Sequence, residues 1–304
     1  MKLFVFGMAV LLIGAGSAFA AEDLDSAFQD FKQAEAQKDV AQLKTLAVST
    51  HNLARQVAAT PAPAAEADKQ AWTEAVEHGR TVGLYVEYAL LVAALRGPAA
   101  DTVDLFATLE QVNPKSKYLD QAYPAYFEAL RQTGAGAKIP AIAAKAAANL
   151  PDNLDLLIWL VDSALSRKAN ARDLGYAKRL IAVLSKNAKP ESLSAADWER
   201  KRTTALGRAY TLAGCVQTDL GQYPDGDKSL RAALPLVSGN EALKAQVLYY
   251  LGVANFQFGT MTMNKALVVQ AAKFSEQAAD IPGPLRDAAY HNAQVMRQRA
   301  TQMH

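Results

Sequence analysis

The chain has 304 residues, of which 51% are hydrophobic and 20% charged, and its formal net charge is +2. Such a composition excludes an intrinsically disordered chain, and so small a net charge provides no global attraction to nucleic acid or to an anionic membrane. A single cysteine, Cys215, excludes an intramolecular disulfide. Because Cys215 lies among small apolar residues in a helical pattern, we predict a buried hydrophobic side chain and not a nucleophile.

The N-terminus has the pattern of a signal peptide. Lys2 precedes an apolar run over residues 3–13, and small residues follow up to Ala18-Phe19-Ala20. We therefore predict a signal peptide over 1–20, cleavage after Ala20, and a periplasmic or secreted mature protein. The alternative is a membrane anchor, but the fully apolar core is shorter than the roughly 20 residues that span a bilayer. The cleavage point carries no cysteine, which argues against a lipid-anchored form.

Beyond residue 20 the spacing of apolar residues predicts one helix after another and no strand. Helices are expected near 39–59 and 65–95, separated by Pro61-Ala62-Pro63, and Ser194 is expected to cap a helix that contains Trp198. Proline and glycine, which end helices, divide the rest of the chain. These further breaks fall at Gly97-Pro98, Asn113-Pro114, 134–136, 151–153, Ala169-Asn170, Pro190, Gly221, Gly239-Asn240, Gly259 and 282–284.

Residues 247–259, VLYYLGVANFQFG, are predicted to form a helix that is apolar on two faces. One apolar stripe includes Val247 and Leu251, and a second consists of Tyr249, Val253 and Phe256. A surface helix normally buries one such stripe and exposes the rest of its surface to water. Therefore either another helix covers the second stripe or a ligand binds to it.

The breaks recur at regular distances along the chain. Pro114 and Pro151 are 37 residues apart, Pro151 and Pro190 are 39 apart, and Gly214 and Gly252 are 38 apart. Each interval contains two predicted helices, which is typical of a solenoid built from helical pairs.

The C-terminal third resembles tetratricopeptide (TPR) repeats. In a unit that starts at Gly207, the positions that match the repeat pattern are Tyr210, Gly214, Gly221, Tyr223, Leu230 and Ala233. In the next unit, from Ala245, Leu251-Gly252 and Gly259 match, and the helix DAAYHNAQVMRQR resembles the start of a third unit. The resemblance covers about 205–300. It is looser over about 83–190, where the corresponding positions are Gly97, Phe106, Pro114, Tyr123, Gly134 and Pro151, and residues 21–80 have no clear match.

The resemblance implies an all-α fold, with a right-handed α-solenoid of TPR-like antiparallel helix pairs over 64–304 that follows an N-terminal helical segment over 21–63. It also implies that positions 2, 5, 9, 12 and 13 of each first helix line a concave groove. In the unit from Gly207, these positions also include Thr211, Cys215, Thr218 and Asp219. The partner-binding face predicted in this way consists of Arg208, Gln246, Tyr249, Val253, Phe256, Gln257, Tyr290, Gln294 and Arg297. The alternative is that the next repeat covers Tyr249 and Phe256, which then serve packing only.

The sequence contains no recognisable catalytic or cofactor motif. The histidines, His51, His78, His291 and His304, lack metal-ligand spacing. The glycine-rich stretch 134–138 lacks the ending of a phosphate loop, and Asp225-Gly226-Asp227 lacks the glutamate that completes a calcium loop. Glu191-Ser192 matches a dipeptide of lytic transglycosylases, but the rest of that motif does not follow. We therefore predict no enzyme activity, no metal and no cofactor.

The stretch from Arg167 to Arg208 contains eleven lysines and arginines but four acidic residues, a net charge of +7. Either this stretch forms a solvated outer face, or it binds an acidic peptide, a cell-wall polymer or lipid head groups. The sequence as a whole predicts an exported scaffold or adaptor that binds a protein or peptide partner in the cell envelope. The alternative is a binding protein for an envelope polymer or small ligand that uses the same groove. Neither a nucleic-acid partner nor a membrane span after cleavage is expected.

Overall fold

A computed structural model describes residues 13–186, 189 and 193–303, with side chains from Glu22 onward. Most of the predicted signal peptide, the Pro190 break, Glu191-Ser192 and His304 lie outside the described residues. Within the described ranges the regular structure is helical throughout and contains no strand. The helices are α1 (Ile13–Gln37), α2 (Val40–Ala58), α3 (Lys69–Arg96), α4 (Ala99–Val112), α5 (Tyr123–Gln132), α6 (Ile139–Asn149), α7 (Leu154–Leu165), α8 (Ala171–Lys186), α9 (Ala195–Asp219), α10 (Tyr223–Ala233), α11 (Glu241–Met261), α12 (Lys265–Ala279) and α13 (Arg286–Gln302).

The all-α prediction is confirmed, and the predicted breaks within the described residues fall between helices with one exception. Gly259 lies inside α11, which continues to Met261. The prediction that Gly259 ends this helix is wrong because the glycine serves close packing. A Cβ atom at Gly259 would lie 2.9 Å from Cβ of Leu267 on α12. The residue that leaves the helical conformation is Met263, which has a φ of 53°.

The chain divides into two compact units, the first ending at Ile139 and the second beginning at Pro140. In the first unit, α1 to α5 pack mainly against their neighbours in sequence, and α2 also contacts α4. In the second unit, α7 to α13 pack in the same sequential manner, and α7, α9 and α11 each also contact the next helix but one. The segment boundary expected after Pro63 falls within the first unit, where α2 packs directly on α3.

One turn geometry recurs at four places along the chain. A residue in the left-handed conformation follows α1, α5, α9 and α11, and the next backbone N–H donates to a carbonyl five residues earlier. This arrangement is the Schellman motif, which satisfies carbonyl groups at a helix end. The left-handed residues are Lys38, Gly134, Gly221 and Met263.

Two glycines hold equivalent places in successive helix pairs. A Cβ atom at Gly214 would overlap the side chain of Leu230 on α10, and a Cβ atom at Gly252 would overlap Ser275 on α12. Only a glycine therefore permits this close approach of α9 to α10 and of α11 to α12. The 38-residue spacing of these glycines in the sequence thus corresponds to a repeated contact in the fold.

Neighbouring helices cover α11 on two sides. Val247 and Leu251 pack into a cluster with Leu230 of α10 and with Cys215 of α9. On the other side, Tyr249 packs against a cluster that contains Leu248 and residues of α12 and α13, namely Ala278 and Ala289. Phe256 packs against α12 and α13 as well. The helix is therefore apolar on two faces because it lies between two layers of helices.

Candidate partner-binding surface

The residues of the predicted concave face on α11 are mostly half-buried. Tyr249, Val253, Phe256 and Gln246 are of intermediate exposure, and Gln257 is exposed. Phe256 packs against two small clusters formed by α12 and α13, whose members are Val268, Ala271, Ala272, Met296, Ala300 and Met303. Tyr249 and Phe256 are thus partly buried by packing between helices and remain partly accessible.

On α9 three of the five equivalent positions are buried, whereas Asp219 is exposed. Thr211, Cys215 and Thr218 are buried, so they cannot contact a partner without a rearrangement. The prediction that Cys215 is buried is confirmed, and because burial raises the pKa of its thiol, little of the nucleophilic thiolate forms at neutral pH. Arg208 is half-buried, and its Nη1 lies 2.6 Å from Oδ2 of Asp162 on α7.

On α13 the predicted residues form an exposed stripe. Tyr290, at 61% exposure, Gln294 and Arg297 lie on an exposed face of the helix. Nε of Arg297 lies 2.6 Å from Oε1 of Glu276 on α12. The stripe of α13 that packs inward consists of Ala289, Ala293, Met296 and Ala300. Phe256 thus packs against the inner stripe of α13, whereas the predicted residues of α13 lie on its exposed face.

The exposed apolar surface that the sequence analysis missed lies on α3. Leu84, Tyr88 and Leu95 are 45%, 50% and 56% exposed and recur at spacings of four and seven residues, which places them on one face of the helix. The ring of Tyr118, from the segment that follows α4, lies 5.7 Å from the ring of Tyr88. The sequence could have indicated two of these residues. If the unit from Gly83 is counted in the same way as the units from Gly207 and Ala245, Leu84 and Leu95 occupy positions 2 and 13, which are among those that line the groove of the repeat.

A buried polar cluster fixes the other side of α3. The carboxylate of Glu87 accepts hydrogen bonds from Nε2 of His51 at 3.1 Å and from Nδ2 of Asn113 at 2.9 Å. Burial raises the pKa of this carboxyl, but hydrogen bonds from His51, Ser116 and Asn113 outweigh burial and hold its pKa below the ordinary value. The cluster joins α2, α3 and the segment after α4, so the exposed stripe lies on a rigid support.

Aromatic contacts and one hydrogen bond hold α1 against α3. The ring of Tyr85 contacts Phe28 and Phe31 edge to face, with centroid distances of 5.3 and 6.5 Å. The Tyr85 hydroxyl donates to Oε2 of Glu35 at 2.8 Å. Because Tyr85 follows Leu84 directly, these contacts fix the rotation of α3 about its axis and keep the Leu84 stripe outward.

Local ion pairs neutralise part of the basic stretch from Arg167 to Arg208. Among the described residues of this stretch, six cations pair with carboxylates: Arg167 with Asp173, Arg179 with Asp152, Arg200 with Asp197, Lys201 with Asp155, Arg202 with Glu199, and Arg208 with Asp162. Asp152, Asp155 and Asp162 lie outside the stretch, so they lower its excess positive charge from seven to four. The stretch is therefore not a uniformly basic surface.

Within the described residues, no group of three or more histidine, cysteine and acidic side chains has the geometry of a metal site. In that same part of the chain, none of the helices combines the length and the apolar character that a membrane crossing requires. Comparison of the chain with protein-family models, with curated proteins and with solved structures found no match.

Proposed function

We propose that this protein is an exported scaffold or adaptor that binds another protein in the cell envelope and catalyses no reaction itself. The observation that carries the proposal is the exposed stripe of Leu84, Tyr88 and Leu95 on α3. In this proposal the helix pairs form a right-handed, TPR-like solenoid. The repeated glycine contacts, the recurring turn motif and the resemblance over residues 205–300 support that architecture.

The stripe suits a protein partner because it combines aromatic and aliphatic groups on a fixed helix. Large apolar side chains that lie together on a surface mark interaction sites more often than isolated ones do. Tyrosine at the centre of such a surface provides apolar contact area together with a hydroxyl group that remains hydrated in the free protein. Since the partner finds the stripe already ordered on α3, the loss of conformational entropy on binding is small.

The test is a crosslinking pulldown from envelope extract with the full chain. We expect the wild type to recover a partner that a triple Leu84→Ser, Tyr88→Ser, Leu95→Ser variant does not recover. Leu220→Ser, directly after α9, is the control, because it removes one exposed apolar side chain outside both the α3 stripe and the face predicted from the sequence. Equal recovery of the same partner by the wild type and a folded triple variant would exclude the α3 stripe as the binding surface.

A further inference from the structure

Two adjoining clefts lie between α6 and α8, with α7 as their floor. The larger has a volume of about 660 Å³ and includes Trp159, Ser163 and Asn170 in its lining. The smaller, of about 430 Å³, is lined mainly by apolar groups, among them Pro151, Leu157 and the open backbone of Gly175. Arg172 and Tyr176 of α8 line both clefts, so the two clefts form one elongated trough along α7. We refer to this feature as the α7 trough.

The α7 trough has one cation that is available to an incoming anion. Arg167 donates two hydrogen bonds, at 2.7 and 3.0 Å, to the buried carboxylate of Asp173, and Arg179 pairs with Asp152. Within the described part of the chain, the guanidinium of Arg172 has no carboxylate partner. Arg172 therefore supplies the unneutralised positive charge of the trough, at the junction of its apolar and polar halves.

The chemistry of the lining restricts what can bind. A membrane surface or a polyanion is attracted by several unneutralised cations together, whereas the lining provides one. A ligand that fits the trough must carry one anionic group for Arg172 and, close to it, an apolar group for the apolar cleft. The larger cleft adds the hydroxyl of Ser163 and the amide of Asn170, which suit the polar groups of a peptide backbone.

We infer that the α7 trough binds an extended peptide segment of a partner protein that carries an acidic side chain two positions away from an apolar one. The carboxylate pairs with Arg172, and the apolar side chain enters the cleft beside Leu157 and Gly175. Side chains two positions apart in an extended chain lie on the same side of the backbone, so a segment along α7 can occupy both clefts. This site is chemically distinct from the apolar stripe of α3 and does not depend on it.

Fluorescence anisotropy with the full chain tests this inference. The probe is a blocked, labelled six-residue peptide of sequence Ser-Leu-Ser-Glu-Ser-Leu, in which glutamate and leucine lie two positions apart and therefore on the same side of an extended chain. The control peptide has glutamine in place of glutamate. We expect the glutamate peptide to bind at least about tenfold more tightly than the control, because a charge-assisted pair with a guanidinium is stronger than a neutral hydrogen bond. Arg172→Gln should abolish that difference, whereas Lys178→Gln, a neutralisation elsewhere on α8, should preserve it.

A second variant blocks the trough without endangering the fold. A Cβ atom at Gly175 would meet no atom within 4 Å, and leucine favours the helix more than glycine does. Gly175→Leu should therefore fold at least as well as the wild type but bind the glutamate peptide at least about tenfold more weakly. The triple serine variant of α3 should bind this peptide as the wild type does. Failure of the α3 stripe as a binding surface can therefore be distinguished from failure of the α7 trough.

Three results would overturn the inference. The first is the absence of binding of the glutamate peptide up to about 1 mM. The second is binding that neither Arg172→Gln nor Gly175→Leu weakens. The third is Arg172-dependent binding of anionic phospholipid vesicles or of a carboxylated polysaccharide in place of the peptide.

Discussion

Glu87 and His51 form a buried pair between α3 and α2, in which Oε1 of Glu87 lies 3.1 Å from Nε2 of His51. Nδ1 of His51 is buried and has no hydrogen-bond partner within the described residues. Because a carboxylate oxygen only accepts hydrogen bonds, Nε2 of His51 is the donor in this contact. The pair therefore fixes the orientation of the His51 ring as well as the position of α3.

The lowered pKa of Glu87 predicts a specific dependence of stability on pH. Because the folded pKa lies below the unfolded value near 4.5, the ionised carboxyl stabilises the fold above about pH 4.5, and this contribution is lost as the pH falls through the folded pKa. Glu87→Gln should lower the free energy of unfolding by about 1–3 kcal/mol at pH 7 and reduce the loss on acidification. Urea unfolding at pH 7 and at about pH 4 measures both effects.

The control for that experiment is Glu77→Gln, an exposed position on the same helix. It should leave the free energy of unfolding at pH 7 within about 0.5 kcal/mol of the wild type. If Glu87→Gln and Glu77→Gln behave alike at both pH values, the buried pair does not stabilise the fold.

Phe256 is predicted to act mainly in packing. Since its ring contacts two clusters of α12 and α13, Phe256→Ala should lower the free energy of unfolding by about 3 kcal/mol or more. Gln257→Ala, at the adjacent exposed position, should change it by less than about 0.5 kcal/mol. Chemical denaturation of both variants shows whether the Phe256 side chain serves packing between helices or lines a binding groove. A stable Phe256→Ala variant with impaired partner binding would instead assign the ring to a binding groove.

The close contact of Gly252 with Ser275 predicts a destabilising mutation and its rescue. Gly252→Ala places a Cβ atom against the Ser275 hydroxyl, and this overpacking should cost about 1–3 kcal/mol. Ser275→Ala removes the hydroxyl, so the double variant should recover part of the loss. A double-mutant cycle measured by thermal or urea unfolding gives the coupling free energy. Additive effects of the two substitutions would show that the helices adjust without strain.

Local patterns sufficed to predict the helices, because proline, glycine and capping residues act over a few positions. Asn153, Asn240 and Asn264 each accept a hydrogen bond from a backbone N–H three residues later. The predicted capping by Ser194 is confirmed in the same way, by a bond from the N–H of Asp197. Gly259 shows the limit of this approach, since a sequence does not distinguish a glycine that ends a helix from one that admits a neighbouring helix.

The candidate surface was harder to predict because exposure depends on which neighbour covers a residue. Tyr249 and Tyr88 both lie on helices that are apolar on more than one face. The next helices pack on Tyr249, whereas Tyr88 remains half exposed beside Tyr118. Likewise the charge excess over 167–208 could be counted from the sequence, but the pairing of Arg208 with Asp162, 46 residues away, required the fold.

Export predicts a defined mature N-terminus. N-terminal sequencing or intact-mass measurement of the protein from the envelope fraction should show a chain that begins at Ala21. The buried side chains of α1 that the structure describes, Leu24, Phe31 and Ala34, all follow this point. A chain that starts at Ala21 should therefore retain the packing of these three side chains against the neighbouring helices. An intact Met1 on the protein from a cytoplasmic fraction would contradict export and would remove the basis for an envelope partner.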